Sequence, residues 1–565
     1  EISCSLVGSE MCIRDSYYLA RRDAEDPDYI YLIPQSEESI WSVSTGWDKN
    51  RKVYMEFGID YNRTFGLHKT TALILYNQSK YYSPSLQYYV PNAYQGLVGR
   101  LTYEYASRYL AEFNMGYNGT ENFAKGKRFG FFPAVSLGWV ISEEKFFPKN
   151  NIVKYLKVRG SYGEVGNDQI GGDRFLYLPS SYGAASDSGV NKYNFGLASN
   201  PYTSLMIVEN KIGNPDLTWE KAKKMNVGVD INLFNNCLTA SFDIFKEKRN
   251  NILANRSTSP MIIGANLPAY NFGEMENRGW EMDLNFRHHI QDFHYWARFN
   301  YSFARNEIIY MDEVQKRYDY QMTTGRRKNQ FFGLIFDGYY NSWEEINALD
   351  RPKSSWSGNQ LQPGDVKYID VNQDGVIDDY DMVPIGYTPV PEIIYGFSFG
   401  AQYKGFDFSI LFQGADNVSI KYFGRSMWPF AKGEESAKSL IKERWTQERY
   451  EAGEKITFPR LSLNPNGETD HNYRPSTLWI RDASYLRLKN LEVGYTFTGG
   501  FVKRLNLNSV RLYFNGSNLF TWTDVVDLDP EAPSRSGNVE INTYPLQKVY
   551  NICLLYTSPS PRDCS

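Results

Sequence analysis

The sequence predicts an all-β protein whose strands form a transmembrane antiparallel β-barrel. Three observations support this prediction. Apolar and polar residues alternate over segments of about ten residues, the length that a tilted membrane strand needs. Aromatic residues make up 16% of the chain and 44 residues are Tyr, a composition typical of barrel strands with aromatic girdles. Short and long connections between these segments follow each other in turn, as they do in outer-membrane barrels.

Strands are predicted wherever apolar residues occupy every second position. Tyr109, Phe113 and Tyr117 fall on one face of such a segment, whereas Glu112 and Asn114 fall on the other. Successive side chains of a strand point to opposite faces, so one face is apolar and the other is mostly polar. We count roughly sixteen such segments. Further examples are Val53–Tyr61, Leu97–Tyr105, Met225–Leu233, Trp280–Phe286, Tyr395–Tyr403, Phe406–Phe412 and Leu491–Phe497.

The connections place the long loops at one end of the strands. The predicted long loops are Gln78–Gln95, Asn118–Arg128, Glu164–Ala222, Glu247–Arg278, Asn306–Glu392 and Gly414–Ser484. The predicted short links are Asn235–Cys237, His288–Asp292 and Lys404–Gly405. Outer-membrane barrels have short periplasmic turns and long extracellular loops, so we expect a multi-pass protein of the cell outer membrane. A soluble β-sandwich also alternates, but its strands average about 5–6 residues and long loops are uncommon in it.

Charge and hydropathy exclude two other classes. The formal net charge is -4, so nothing indicates a nucleic-acid surface. The mean hydropathy is -0.51, and no apolar run of about 18 residues occurs. A helical membrane span is therefore not expected, whereas a barrel remains possible because its strands alternate.

The two ends of the chain differ in composition from the rest. Four of the five Cys lie there, at positions 4, 12, 553 and 564, and only Cys237 lies between them. A disulfide framework is therefore not available to the long middle part. We interpret residues 1–16 and 553–565 as non-native segments that resemble translated sequencing adapters. Residues 17–552 are then a partial outer-membrane β-barrel with long extracellular loops.

An Asp-rich loop has the spacing of a calcium-binding loop. Oxygen ligands at positions one, three, five, nine and twelve, with a backbone carbonyl at position seven, surround a hard cation, and Gly375 permits the sharp turn. The alternative is a solvated loop whose side chains cap their own turns. A bound calcium ion is structural here, because no nucleophile or base adjoins it, and no other cofactor is expected. The predicted metal ligands are Asp370, Asn372, Asp374, Val376, Asp378 and Asp381.

Other side chains give no catalytic signal. No nucleophile elbow, phosphate-binding loop or zinc-protease motif occurs, so an enzyme is not expected. His288 and His289 are assigned to a solvated periplasmic turn in preference to a metal site. Aromatic residues in the long loops are candidates either for stacking on sugars or peptides or for ordinary loop packing. They are Tyr177, Tyr182, Tyr339, Tyr340, Trp343, Trp356, Trp428 and Phe430.

A series of short motifs extends over nearly all of the chain from Tyr17 to Ile552. The motifs are Ala93–Arg100, Arg108–Ala111, Phe129–Ala134, Asn214–Glu220 with Asn226–Asp230, Asn277–Glu281, Pro363–Asp365, Leu486–Leu491 and Asn515–Phe520. Each motif alone is weak. Together they resemble the TonB-dependent outer-membrane transporters of the SusC/RagA type.

This resemblance implies a C-terminal fragment of a barrel of about 22 strands. It also implies TonB-dependent import of nutrients such as oligosaccharides or peptides, a SusD-like surface lipoprotein as partner, and contact with outer-membrane lipid. The N-terminal plug, the TonB-contacting segment and the first strands are expected outside this sequence. The last strand is expected to stop at Ile552, so this piece alone is not expected to close or to transport.

Two other functions remain open from the residues. One is a secreted or surface calcium-containing β-rich protein that binds carbohydrate or acts as an adhesin. Ten-residue strands and one-sided long loops argue against it. The other is a carbohydrate-active enzyme, which needs a carboxylate pair in a cleft that the sequence does not single out.

Overall fold

The computed structural model describes most of the chain. The described residues are 18–22, 30–34, 49–86, 89–169, 174–178, 183–184, 192–197, 202–205, 207–208, 212–258, 267–356, 361–422, 428–429, 439–462, 471–526, 528–531, 538–539 and 546–557. The chain divides into two units, residues 1–52 with 81–91 and residues 53–80 with 92–565. In the first unit, Tyr18–Arg22 pairs antiparallel with Ile30–Pro34. The predicted non-native segment 1–16 lies outside the described residues.

In the described part of the chain, fifteen strands form one antiparallel sheet in which spatial order follows chain order. This arrangement confirms the predicted all-β architecture. The strands are β1 (Arg51–Phe65), β2 (His68–Tyr82), β3 (Asn92–Tyr105), β4 (Tyr109–Thr120), β5 (Phe129–Val140), β6 (Val153–Asn167), β7 (Glu220–Leu233), β8 (Leu238–Ala254), β9 (Tyr270–Ile290), β10 (Phe293–Tyr310), β11 (Ile393–Tyr403), β12 (Phe406–Asp416), β13 (Tyr485–Phe497), β14 (Ser509–Thr523) and β15 (Val549–Thr557).

The connections differ between the two edges of this sheet. Links after odd-numbered strands include the tight turns 66–67, 291–292 and 404–405. Links after even-numbered strands include the long loops 168–219, 311–392 and 417–484. Because neighbouring strands are antiparallel, the two kinds of link lie at opposite edges, here called the turn edge and the loop edge. The predicted separation of short turns from long loops is confirmed.

Several strands are longer than the alternation predicts. The predicted loop Glu247–Arg278 consists largely of strand, because β8 continues to Ala254 and β9 begins at Tyr270. Both faces of these extensions carry polar side chains, so no apolar period marks them in the sequence. His288 and His289 likewise belong to β9, next to a turn of only Gln291 and Asp292. The predicted turn His288–Asp292 was therefore too long.

The last strand continues beyond its predicted end. β15 runs through Ile552 to Thr557 and pairs with β14, with Thr557 opposite Ser509. The expectation that this strand stops at Ile552 is therefore wrong in this structure. The non-native origin assigned to residues 553–565 stays a prediction, and 558–565 lie outside the described residues.

The sheet has one apolar face and one polar face. On β4, Tyr109, Phe113 and Tyr117 are each 44–48% exposed on what we call the outer face. On the opposite, inner face, Glu112 pairs with Arg100 of β3 at 2.9 Å. An exposed band of aromatic and aliphatic side chains on one face suits contact with lipid, and a polar opposite face suits contact with water.

The connections contain short helices and strands. The α-helices are α1 (Trp343–Ile346), α2 (Gln447–Glu451) and α3 (Gly500–Arg504). The 3-10 helices are Ile141–Glu143, Asp319–Gln321, Asp379–Asp381, Ser439–Glu443 and His471–Tyr473. The short strands are Gly183–Ala184, Lys192–Phe195, Tyr202–Leu205, Ile207–Val208, Phe332–Gly333, Phe336–Tyr339, Lys353–Ser354, Val366–Tyr368, Val376–Ile377, Val383–Pro384, Ser419–Tyr422, Ile480–Asp482 and Asn538–Val539. None of the helices in the described residues is long and apolar enough to cross a membrane.

The largest hydrophobic cluster of buried residues lies in the loops and not on the sheet. We call it the loop core. It joins side chains from loops 311–392, 417–484 and 524–548, so these loops form a packed layer at the loop edge. Its buried members are Leu334, Tyr339, Val366, Tyr368, Ile377, Val418, Ile420, Tyr422, Trp428, Trp445, Phe458, Tyr473, Leu478, Trp479, Ala483 and Val525.

Candidate functional site: the inner face and the loop core

The inner face holds a network of charges on β6–β8. Arg159 lies between two carboxylates, at 3.1 Å from Asp230 and 2.7 Å from Asp243. Ser241 donates a hydrogen bond of 2.9 Å to Asp230. Gly228 makes room for this arrangement, because a Cβ there would lie 2.8 Å from Cζ of Arg159. The network fixes an arginine on the polar face without leaving its charge unpaired.

A cavity of about 670 Å³ adjoins this network. Its lining includes charged and amide side chains of the inner face, such as Glu112, Lys157, Arg159 and Asn226. These side chains offer hydrogen bonds to a polar solute, as polar groups in the lumen of membrane barrels do, and apolar side chains such as Leu110 and Val165 complete the lining. The arrangement can bind and orient polar groups.

A second inner-face network holds part of the loop 524–548. Arg487 is 2% exposed and binds both Asp529, at 2.7 Å, and Glu531. Tyr485 donates a hydrogen bond of 2.7 Å to Glu531, and Lys489 lies 3.2 Å from it. The segment that carries Asp529 and Glu531 is therefore held against the inner face of β13.

The loop core is fixed by buried polar groups as well as by aromatic packing. Asp365, which is 3% exposed, pairs with Arg460 at 2.6 Å and accepts a hydrogen bond of 2.8 Å from the amide of Asn472. Asn472 in turn accepts a 2.9 Å hydrogen bond from the backbone of Val366. Nε2 of His471 lies 2.7 Å from the carbonyl oxygen of Val366. Two loops far apart in sequence are thereby joined.

The Asp-rich loop forms a compact series of turns at the side of the loop core. Asp370 accepts hydrogen bonds from the backbone of Gln373 at 2.7 Å and Gly375 at 2.8 Å. Asp374 accepts one from Val376 at 2.9 Å. Side-chain oxygens of Asp370, Asn372, Asp374 and Asp378 thus cap their own turns, as in the alternative interpretation of this loop.

Asp381, the twelfth position of the predicted calcium loop, is fully buried. Its carboxylate accepts backbone hydrogen bonds from Val371 at 2.8 Å, Asn372 at 3.4 Å and Asp378 at 2.9 Å. Burial raises the pKa of this carboxyl above its ordinary value, although the backbone donors oppose the shift. Asp381 thus holds the two ends of the loop together with both oxygens. In the residues described, no group of three or more acidic, His or Cys side chains is arranged to hold a metal ion.

Four of the six candidate loop aromatics that the structure describes pack inside the loops. Tyr339, Tyr340 and Trp428 are at most 9% exposed, and Trp356 packs against the loop core with Arg474 4.0 Å above its ring. Burial of this kind favours ordinary loop packing as their role.

The remaining loop aromatics differ in position. Trp343 is 48% exposed and is accessible for stacking. Tyr177 is partly exposed, and its ring centre lies 6.1 Å from that of Phe175. Tyr182 and Phe430 lie outside the described residues.

The histidines lie apart from the inner-face networks. Nδ1 of His288 lies 3.5 Å from Sγ of Cys237 at the turn edge. His289 lies opposite His294, and both side chains are exposed. These exposed positions agree with the expected solvated hairpin end.

Comparison with known proteins decides the family. The family model described as TonB dependent receptor-like, beta-barrel matches residues 13–519. The chain belongs to this family. This receptor barrel is therefore a protein of the outer membrane and not an enzyme.

Curated relatives of this receptor barrel are themselves TonB-dependent receptors. The TonB-dependent receptor P3 of Formosa agariphila is 29% identical over 450 residues, which cover 78% of this chain and 42% of the relative. The TonB-dependent receptor SusC of Bacteroides thetaiotaomicron is 28% identical over 464 residues, which cover 81% of this chain and 43% of the relative. The receptor barrel thus spans less than half the length of these relatives. The resemblance to SusC/RagA-type receptors is confirmed.

A solved structure shows the same fold. The structure described as that of the RagAB peptide transporter superposes with a TM-score of 0.68 and 22% sequence identity. The superposition covers 90% of this chain and 55% of that one. Most of the receptor barrel in this sequence therefore has a counterpart in a known transporter barrel.

The sequence pointed to some of these residues without giving their roles. Asp365 and Arg487 stand in the motifs Pro363–Asp365 and Leu486–Leu491, yet nothing in the sequence identified their partners. The partners Asn472, Asp529 and Glu531 lie in loops without periodicity, so no pattern marks them.

Proposed function

We propose that the protein containing this receptor barrel imports oligosaccharides or peptides across the outer membrane. The observation that carries the proposal is the polar, charge-paired inner face with its cavity, lying behind a sheet whose outer face is apolar. Such a sheet separates an aqueous path from lipid. The description of RagAB as a peptide transporter supports peptides as substrates, and the similarity to SusC supports oligosaccharides as the second class.

We further propose a SusD-like surface lipoprotein as partner and the TonB complex as the source of energy. Family membership and the SusC and RagAB relatives support these partners. The packed loop core gives the loop edge a defined surface on which a lipoprotein can dock. Preformed interfaces of this kind lower the ordering cost of association.

The proposal is tested on the re-sequenced, full-length gene expressed in a host outer membrane with its neighbouring lipoprotein gene. Uptake of labelled oligosaccharides and peptides is measured with and without TonB. TonB-dependent uptake of either class supports the proposal. A soluble protein that needs no detergent contradicts it and favours a secreted binding protein.

Two adjacent residues provide a matched control. Asn226 lines the inner-face cavity, whereas Val227 lies on the outer face and is 50% exposed. Asn226→Trp places a large ring in the cavity and is expected to lower uptake severalfold. Val227→Trp is expected to leave uptake unchanged, since Trp is accepted on a lipid-facing surface. Equal uptake by both variants would show that this cavity is not on the path.

We also propose that the Asp-rich loop binds calcium as a structural ion. Asp370, Asn372, Asp374 and Asp378 bring oxygen atoms into one series of turns, and oxygen is the ligand type that calcium prefers. The carbonyl of Val376 would supply the backbone ligand of the motif, and Asp381 would hold the ends of the loop in place. The ion would stiffen the side of the loop core.

A further inference from the structure

A second cavity, of about 350 Å³, lies where the inner face meets loop 311–392. One side of it is formed by residues near the loop-edge ends of β8, β9 and β10, among them Arg249, Asn277 and Asn306. The loop supplies Lys328 and Val390 to the other side. We call it the mouth cavity, because a solute that enters from the loop edge passes it.

Two side-chain amides lie next to each other in this cavity. Asn277 and Asn306 are directly opposite each other on β9 and β10. The Oδ1 atom of Asn306 accepts a 2.7 Å hydrogen bond from the backbone N–H of Lys328. Within the described chain, the Nδ2 group of Asn306 and the whole amide of Asn277 have no hydrogen-bond partner, and both side chains are only half-buried. The pair therefore presents N–H donors and a carbonyl acceptor to a ligand.

Lys328 differs from the other charged groups of the mouth cavity. Each carboxylate in the described lining already has an ion pair with a cation. These pairs are Glu247 with Arg249, Glu276 with Lys246, and Glu392 with both Arg305 and Arg327. Lys328 is exposed and forms no ion pair with a described residue. Its ammonium group is therefore available to an anionic ligand beside the amide pair.

The apolar part of the lining favours a peptide over a sugar. It consists of aliphatic side chains such as Met275, Val390 and Pro391, and Val390 is 61% exposed. No described lining residue is aromatic, so the cavity offers no flat ring on which a sugar ring could stack. An amide with donors and an acceptor matches the N–H and C=O of a peptide group, and aliphatic side chains match those of a peptide.

We propose that the mouth cavity binds the C-terminal end of an imported peptide. This inference rests on the proposed import function and selects peptides from its two solute classes. The ammonium group of Lys328 binds the terminal carboxylate, and Asn277 and Asn306 bind the adjoining peptide group. Met275 and Val390 contact the last side chain. A carboxylate gains a charge-assisted hydrogen bond from Lys328, which an amidated C-terminus lacks.

The test uses the full-length receptor, immobilised in detergent, and two libraries of mixed-sequence hexapeptides without Asp or Glu. One library has free C-terminal carboxylates and the other has C-terminal amides, and mass spectrometry measures the peptides retained. The wild type is expected to retain the carboxylate library about tenfold better, since a hydrogen bond to a charged group contributes about this factor. Lys328→Gln should reduce the ratio to about one, whereas Lys328→Arg should preserve it. Asn277→Ala should weaken retention of both libraries severalfold.

Lys316→Gln is the matched control, because it removes an exposed cation of the same loop that does not line the mouth cavity. It should keep the tenfold ratio, and all variants should keep the heat-modifiable gel mobility of the wild type. Equal retention of both libraries by the wild type, or an equal fall of the ratio in Lys316→Gln, overturns the proposal.

A carboxylate-bearing oligosaccharide, oligogalacturonate, forms the other arm of the test. If its retention depends on Lys328 and that of the peptides does not, the cavity binds a sugar carboxylate and the peptide assignment is overturned. Cellular uptake of oligosaccharides by a receptor that retains neither peptide library also overturns this inference, although the import function then stands. Absence of any TonB-dependent uptake contradicts the import function itself, so the two failures are distinguishable.

Discussion

Asn472 donates a hydrogen bond of 2.8 Å from its side-chain amide to the carboxylate of Asp365, which lies 107 residues earlier in the chain. Both residues are at most 3% exposed. The same amide group accepts the backbone N–H of Val366 through its oxygen. One side chain therefore satisfies a buried carboxylate and a buried backbone donor, and it joins two of the long loops.

Replacing the Asn472 side chain is expected to destabilise the loop core without unfolding the sheet. Asn472→Ala leaves the buried backbone N–H of Val366 without its acceptor and removes one of the donors to the Asp365 carboxylate, which keeps Arg460, at an expected cost of about 1–3 kcal/mol. Hydrogen exchange should rise in residues 361–371 and 471–480, while strand amides keep their protection. Asn347→Ala, at an exposed loop position, serves as the control and should change neither region. Unchanged exchange in Asn472→Ala would show that the network does not hold the loops together.

Calcium is expected to protect the Asp-rich loop. A ligand that binds only the folded loop stabilises it by about 2.7 kcal/mol at a free concentration of about 100 times Kd. Hydrogen exchange of residues 370–381 should therefore slow when calcium is added to the chelator-treated protein. Asp374→Ala should abolish the effect.

Asp379 provides the control for the calcium experiment. It lies within the same loop but is not a predicted ligand, and its side chain is 75% exposed. Asp379→Ala should retain the calcium effect. If calcium leaves the exchange of the wild-type loop unchanged, the loop is simply a capped turn.

A glycine on β9 is expected to control assembly of the sheet. A Cβ at Gly279 would lie 2.0 Å from the carbonyl oxygen of Phe303 and 2.7 Å from Cζ of Phe245. Gly279→Ala must displace backbone, at an expected cost of about 1–3 kcal/mol or more. Gly160→Ala is the control, because the nearest atom to its added Cβ is the carbonyl oxygen of Asn226 at 3.8 Å. The fraction of protein with heat-modifiable gel mobility should fall only for Gly279→Ala, and an equal yield would contradict the steric argument.

The ion cluster at Glu392 is expected to make the loop edge sensitive to acid. Glu392 is 4% exposed and binds Arg305 at 2.8 Å and also Arg327. Burial raises the pKa of Glu392, but the hydrogen bonds from the two arginines outweigh it and lower the pKa below its ordinary value of about 4.3. A lowered carboxyl pKa stabilises the fold at pH values above the ordinary value. This contribution is lost as the pH falls through the lowered pKa.

Thermal unfolding between pH 6 and pH 3 measures this contribution. Glu392→Gln should destabilise the protein by about 1–3 kcal/mol at pH 6, since it leaves two partly exposed arginines without their carboxylate. The variant should lose less stability than the wild type as the pH falls. Glu448→Gln changes an exposed carboxylate and should reproduce the wild-type profile. If the stability of the wild type and of Glu392→Gln falls in parallel with pH, Glu392 does not cause the acid sensitivity.

Alternation predicted the sheet well because the outer face carries a simple period. Residues such as Tyr109, Phe113 and Tyr117 lie on one face in the sequence pattern and in the structure alike. The alternation of apolar and polar residues is absent where strands continue toward the loop edge beyond the apolar part of the outer face. Lys246 and Lys248 alternate with Glu247 and Arg249, so both faces are charged there and the strand looks like a loop.

The loop core was not predictable for a different reason. Its contacts join residues distant in sequence, as when Nε1 of Trp445 donates a 3.1 Å hydrogen bond to Asn341. Tyr339 and Trp428 were candidates for contact with substrate or for packing, and only the fold shows that they are buried. Burial of a loop aromatic depends on such distant partners, and a local pattern contains no record of them.

The order of the strands has a consequence for how such a receptor matures and evolves. Each strand of the sheet from β2 to β14 pairs with the sheet strands that precede and follow it in the chain. The sheet can therefore form hairpin by hairpin, through contacts of low sequence separation. The loop core joins segments that are more than a hundred residues apart, so we expect it to pack after the sheet has formed. Mutations in the loops then act on a finished scaffold. The loop sequences, and with them the molecules that the loops contact, can change during evolution while the order in which the sheet assembles stays the same.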